Sequence, residues 1–156
     1  MILPIVAYGD PVLRKECMPI AKDYPELSKL IEDMYQTMYH SNGVGLAAPQ
    51  VGLAIRLFVV DTEPFCENDD LSDAERDYLK SFKKAFINAK ILKEEGEPWP
   101  FSEGCLSIPG ISEDVLRKPT IVIEYQDEHF VTHTETFSGL VARVIQHEYD
   151  HIEGIL

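Results

Sequence analysis

Residues 147–151 read His147-Glu148-Tyr149-Asp150-His151, a pair of imidazoles four apart with a carboxylate beside the first. In a helix of 3.6 residues per turn a four-residue step returns to nearly the same face, so the two rings would stand side by side and could share one metal ion. Glu148, about 100° further round the helix, would reach a water on that ion without being a ligand. Two nitrogen ligands and a carboxylate that moves protons make the arrangement of metal-assisted hydrolysis. The pattern is short, and by itself it fits two ordinary histidines on a helix surface as well.

The element that carries the pair decides between these readings. Ser138 and Gly139 open a predicted final helix, and Leu140, Val141, Val144, Ile145, Ile152 and Ile155 give it a wide apolar face. Such a helix is buried and takes its histidines inside. Buried imidazoles without partners are costly, and a shared metal satisfies both. In metallopeptidases with this motif the third ligand lies downstream, but here only five residues follow His151. Glu153, the one acid among them, is on the same helix and off the ligand face. The third ligand is therefore expected upstream. Cys105 is the best candidate, because a thiolate is a strong ligand and its segment is bounded by Gly104 and Pro109, as a fixed ligand loop should be. Two rivals stay open at this point. A zincin-type metallopeptidase would cleave internal peptide bonds without needing Cys105, and a closed structural site would have a fourth protein ligand and no reactive water.

Other elements follow from periodicity. Residues 1–20 read as an irregular arm, with Cys17 a packing residue. Leu27, Leu30, Ile31, Met34 and Met38 predict a helix from Pro25 to about His40, with Pro25 in its first turn, serving as core scaffold. Gly43 to Gly52 is glycine-rich without the pattern of a phosphate or dinucleotide loop. Glycines at 43 and 45 allow a close backbone approach, which suits either a tight turn or a ligand loop. Strands are expected at Ile55 to Asp61, Phe86 to Leu92, Val115 to Arg117, Thr120 to Tyr125 and Val131 to Phe137, the last two flanking a hairpin turn at Gln126-Asp127-Glu128. His129 and His133 are assigned to these strands as surface residues, about 13 Å apart and too far to grip one ion. Residues 62–80 form an acidic excursion with a short helix from Ser72, in which Cys66 is an exposed bystander.

Composition narrows the class of partner. The 156 residues carry a formal net charge of −13, with 45% hydrophobic and 26% charged residues. That balance predicts a soluble globular domain and argues against direct nucleic-acid binding or an anionic membrane, which need clustered Lys and Arg. No apolar run approaches the roughly 18 residues of a membrane span, and the N-terminus lacks the basic flank of a signal peptide. Three cysteines without framework spacing predict a reducing, cytoplasmic setting.

Three segments, Gly43-Val44-Gly45-Leu46-Ala47-Ala48-Pro49-Gln50, Glu103-Gly104-Cys105-Leu106-Ser107 and Gln146-His147-Glu148-Tyr149-Asp150-His151, resemble in order the three signature motifs of peptide deformylase. Tyr8-Gly9-Asp10-Pro11-Val12-Leu13-Arg14 resembles that family's N-terminal arm. The resemblance covers essentially the whole chain, as one catalytic domain over 1–156. It implies an α+β fold, with antiparallel strands wrapped around a central C-terminal metal-binding helix and an N-terminal helix besides. It also implies removal of the formyl group from the N-terminal formylmethionine of newly made polypeptides, with nascent chains at the ribosome as partners. By the same resemblance Cys105, His147 and His151 hold one divalent metal, Fe2+ in the cell and Zn2+, Ni2+ or Co2+ in some preparations. Glu148 then moves the proton, and the Gln50 amide and Leu106 backbone N–H donate to the formyl oxygen. Gly43, Val44 and Gly45 would pair with the substrate as an added strand, and Val44, Glu103, Leu140 and Val144 match positions lining the methionine pocket. Three departures stand out. The 62–80 excursion is longer than in compact members, Ser112 replaces an arginine some members carry near the substrate's exit, and members usually continue past the position of Leu156.

Overall fold

The computed structural model describes residues 2–6, 10–41, 43–64, 72–105 and 108–154, with backbone alone described over 101–105 and 108–114. Among the described residues three α-helices, α1 (Leu27–His40), α2 (Asp73–Ser81) and α3 (Gly139–Ile152), accompany seven strands. The strands are β1 (Gly45–Ala47), β2 (Leu57–Asp61), β3 (Lys83–Glu95), β4 (Trp99–Cys105), β5 (Ile108–Arg117), β6 (Thr120–Gln126) and β7 (Thr132–Ser138). One antiparallel sheet runs in the order β1-β2-β3-β6-β7, and β4-β5 form a separate two-stranded sheet. This is the α+β architecture expected from the sequence, with strands arranged about a C-terminal helix.

Alternation along β2 shows why two helices are needed. Leu57 and Val59 pack with Leu27, Ile31, Met34 and Met38 of α1, whereas Phe58 and Val60 pack with Val141, Ala142, Val144 and Ile145 of α3. Successive side chains of a strand point to opposite faces, so this strand is apolar throughout because both faces are covered. Beneath α3, Phe86 stacks on Phe58 at 4.8 Å and meets Tyr125 at 4.5 Å and Phe137 at 6.1 Å between ring centroids. Burying one such aliphatic or aromatic side chain is worth about 1.5–3 kcal/mol.

β3 is longer than the Phe86 to Leu92 run expected, and it bends. Its first part pairs with β2, from Lys83 opposite Asp61 to Ile87 opposite Leu57, and its second part with β6, from Lys90 opposite Glu124 to Glu95 opposite Thr120. The break falls at Asn88, whose φ of 53° lies in the left-handed region that Asn tolerates. Its amide accepts from Ile20 N and donates to Ile20 O and Gln126 Oε1, each at 2.8 Å, so the bend also moors the N-terminal arm. Glu26 takes φ 54° as the residue before α1. The helix therefore starts two residues after Pro25, which lies outside the first turn. α2 starts after Ser72, whose hydroxyl accepts from Glu75 N. Cys66 and the rest of 65–71 lie outside the described residues.

The N-terminal arm is threaded over the working parts of the chain. Leu3 N donates to Thr37 Oγ1 (2.8 Å), Val6 N to Gln50 O (2.8 Å), Met18 N to Ala54 O (3.1 Å) and Cys17 N to Ile152 O (2.8 Å). Cys17 is buried, and burial pushes its thiol up to about 11, the behaviour of a packing residue. The last of these bonds caps the carbonyl end of α3. Gly154, at φ 76°, turns the chain there, and a Cβ at this position would stand 2.7 Å from Arg14 O.

β6 and β7 are joined by a turn that Asp127 organises. Its carboxylate accepts from His129 N (2.8 Å) and Val131 N (3.1 Å) and lies 2.8 Å from His133 Nε2. His129 therefore sits in the turn and not on a strand, while His133 is on β7 and half-exposed.

The arm and the turn each lend themselves to a stability measurement. Gly154→Ala puts a side chain at a left-handed φ and against the backbone of the arm, and costs about 1–3 kcal/mol in urea unfolding. An effect indistinguishable from zero would mean that the turn is not held in that conformation. Asp127 has its carboxyl lowered from 3.8 to about 2, chiefly by the His133 hydrogen bond. A depressed carboxyl stabilises the fold above its ordinary value and loses that effect as pH falls through the lower one. The melting temperature of Asp127→Ala should thus lie below wild type at pH 6, and the two should converge between pH 4 and pH 2.

A candidate metal centre on the C-terminal helix

α3 presents three stripes. The apolar one carries Val141, Val144, Ile145 and Ile152 into the core. A second carries His147 and His151, whose ring centroids are 5.1 Å apart with planes at 71°. His147 is half-buried and His151 is 4% exposed. Burial, and then the positive charges of His147 and Arg117, push His151 down to about 3. The ring is therefore neutral at ordinary pH, which is the form of imidazole that binds a metal. A neutral buried imidazole stacked edge to face on a second is a donor pair that fits a divalent ion.

Glu148 is 4% exposed and lies against the edge strand. A Cβ at Gly45 would fall 2.6 Å from its Oε2 and 2.8 Å from its Cγ, so the close approach allowed by this glycine is to the Glu148 side chain. Gln50 follows in the 3-10 turn Ala48–Val51, 2% exposed, and its Oε1 accepts from Ala47 N at 3.0 Å. With the carbonyl end turned to Ala47, the other end of the amide is the one that can donate. Val44, Leu140 and Val144 pack in the same apolar cluster as the α3 core. Gly43 N bonds back to Met38 O at 2.9 Å, and Asp61 N bonds to Val44 O at 2.9 Å. The Gly43 to Gln50 segment is thus part strand, part 3-10 turn.

Cys105 closes β4, with its Cα opposite Ile108 after a register shift at Gly104. Bulges of this kind re-aim a strand where pairing ends. Within the segment 103–110, read as constrained, residues 103–105 end β4 and 108–110 begin β5, and β4 has no counterpart among the expected strands. The side chains of Glu103 and Cys105 and the whole of Leu106 lie outside the description. Among the described residues no three His, Cys, Asp or Glu side chains form a metal-binding group.

The third stripe of α3 is one that the sequence reading does not identify. Arg143, 3% exposed, donates through Nη1 to Val115 O at 2.8 Å and through Nη2 to Trp99 O, with its guanidinium 4.3 Å from the Trp99 ring centroid. Gln146 Nε2 donates to Lys118 O at 3.0 Å, and Asp150 pairs with Arg117 at 2.8 Å. An arginine set between Val141 and Val144 in an otherwise apolar run is the signal the letters offer.

The polypeptide deformylase family model matches residues 2–156. A peptide deformylase of Flavobacterium psychrophilum is 67% identical over 156 residues, covering 100% of this chain and 80% of that protein. Among solved structures, the peptide deformylase of Thermotoga maritima superposes with a TM-score of 0.85 at 40% identity, covering 100% of this chain and 95% of that one. The peptide deformylase of Thermus thermophilus gives 0.85 at 42% identity, covering 100% and 84%. With its arrangement of helix, edge strand and hairpin and these matches along its length, the chain belongs to the polypeptide deformylase family.

Proposed function

We propose that the chain removes the formyl group from N-formylmethionyl peptides by metal-assisted hydrolysis in which Glu148 carries the proton. It is a metal-dependent amide hydrolase by its family, and a zincin-type peptidase is not favoured. The observation that carries the mechanism is the position of Glu148, buried against Gly45 of the edge strand and next to His147 on α3.

Cys105, His147 and His151 would hold the ion. When bound, it supplies a Lewis acid and a water acidic enough to serve as nucleophile near neutral pH. A sulfur and two nitrogens suit both iron and zinc. Fe2+ is the ion proposed for the cell, with Zn2+, Ni2+ or Co2+ in preparations. Glu148 takes the proton of the attacking water and delivers it to the departing amine as the C–N bond breaks, so that formate and a free methionyl amine leave. The Gln50 amide and the Leu106 backbone N–H donate to the formyl oxygen as it gains charge, each worth about 3–4 kcal/mol in the transition state.

The peptide is held by backbone. In an antiparallel ladder, residues that bond across the pair alternate with residues turned away. Since Val44 O accepts from Asp61 N, the N–H and C=O of Gly45 face away from β2, on the outer side of the end strand. A substrate laid along Gly43, Val44 and Gly45 takes up those groups whatever its sequence, and Val44, Leu140, Val144 and Glu103 surround the methionine. Nascent chains at the ribosome, in the cytoplasm, are the natural source of such substrates. The net charge of −13 opposes direct binding of nucleic acid. No helix among the described residues is long and apolar enough to cross a membrane.

The decisive experiment is formate release from formyl-Met-Ala-Ser by protein purified without oxygen, beside its Glu148→Ala variant. The variant should keep its metal and lose about 10²–10⁴-fold in kcat. Equal turnover by the two, or cleavage only of unformylated peptides, overturns the mechanism. Gly45→Ala should lower kcat by about 10²-fold, because the added methyl displaces the Glu148 carboxylate from its place. Unchanged kcat in that variant would show that the proton carrier does not depend on this contact.

A further inference from the structure

β4 and β5 form a sheet of their own, with no hydrogen-bonded strand joining them to the five-stranded sheet among the described residues. A two-stranded hairpin is marginally stable alone, so its placement against α3 must come from other ties. Arg143, Gln146 and Asp150, spaced three and four apart, lie on one stripe of α3 and supply them. Among the described residues Asp150 reaches Arg117 of β5 and Gln146 reaches Lys118 just beyond it, whereas Arg143 grips both strands, through Trp99 O on β4 and Val115 O on β5, while stacking on the Trp99 ring. A guanidinium 3% exposed is expensive to desolvate, and an apolar residue would fill the same space at lower cost. What an apolar residue lacks is a rigid fork that fixes two backbones relative to one helix.

We propose that Arg143 is a positioning residue of the active site. It sets the β4-β5 hairpin, and with it the backbone of Cys105, in register with His147 one turn further along the same helix. The inference rests on the reading of Cys105 given above. It adds that α3 supplies two ligands directly and governs the place of the third through the opposite strands' carbonyls.

The test uses nickel-loaded full-length protein, wild type and R143K, with W99L as a second variant that removes the ring but leaves both carbonyls. Lysine keeps the charge but cannot span two strands with a planar fork. R143K should change KM for formyl-Met-Ala-Ser by less than about threefold while kcat falls about 10- to 100-fold, since small misplacements act on the chemical step. EDTA should remove its nickel at about 10- to 100-fold lower concentration than from wild type. W99L should shift both readouts the same way by less. Wild-type kcat and wild-type metal retention in R143K overturn the proposal, and so does a loss confined to melting temperature. EDTA competition needs no turnover. A wild-type protein that released no formate would therefore overturn the deformylase reading, while metal retention would still decide the role of Arg143.

Discussion

Keeping a carboxylate and an imidazole out of water on the same helix is the constraint around which the molecule is built. Glu148 and His151 are each 4% exposed. Both groups lose hydration on burial, and for His151 the result is a ring that stays neutral far below ordinary pH. A helix left on the surface would return both to solvent. α3 is instead enclosed by the five-stranded sheet below, by the β4-β5 hairpin along one side, and by the N-terminal arm over its carbonyl end. Each enclosing element also meets a candidate site residue or its helix, the edge strand through Gly45 at Glu148, the hairpin through two carbonyls on Arg143, the arm through its bond to Gln50 O.

The same helix therefore does two jobs with different stripes. Its apolar residues give the free energy that holds it in place, and its polar residues use that rigidity. Because the stripes adjoin, a shift of the helix relative to the sheet would move His147, Glu148 and the hairpin anchors together. The geometry among them is consequently less sensitive to small changes in core packing than it would be on separate loops.

How much of this can be read from letters alone varies with the kind of force. The helices α1 and α3 are plain because their burial is one-sided and periodic, and the strands β2, β6 and β7 because they alternate or are short apolar runs. The His147, Glu148 and His151 grouping follows from helical spacing. β4 escapes because Trp99-Pro100-Phe101-Ser102-Glu103-Gly104 has no alternation and contains a proline and a glycine, residues that weaken a strand assignment. Pro25 falls outside α1 against expectation because nothing local announces that Glu26 takes a left-handed conformation. Arg143 stands out as a charge in an apolar run, but its role is silent in the sequence since its partners are carbonyl groups, which every residue carries and no sequence displays.

The bond from Cys17 N to Ile152 O and the seat of Gly154 on Arg14 join two stretches that lie almost the full described length apart. Closing so long a loop is slow, and contacts of high sequence separation form late in folding. While a ribosome is still making this polypeptide, the sheet can assemble, but its α3-facing side waits for residues near 139–154 to emerge. The groups of the candidate site are thus brought together only once α3 has been made, so a product truncated before Gly139 would lack His147, Glu148 and His151.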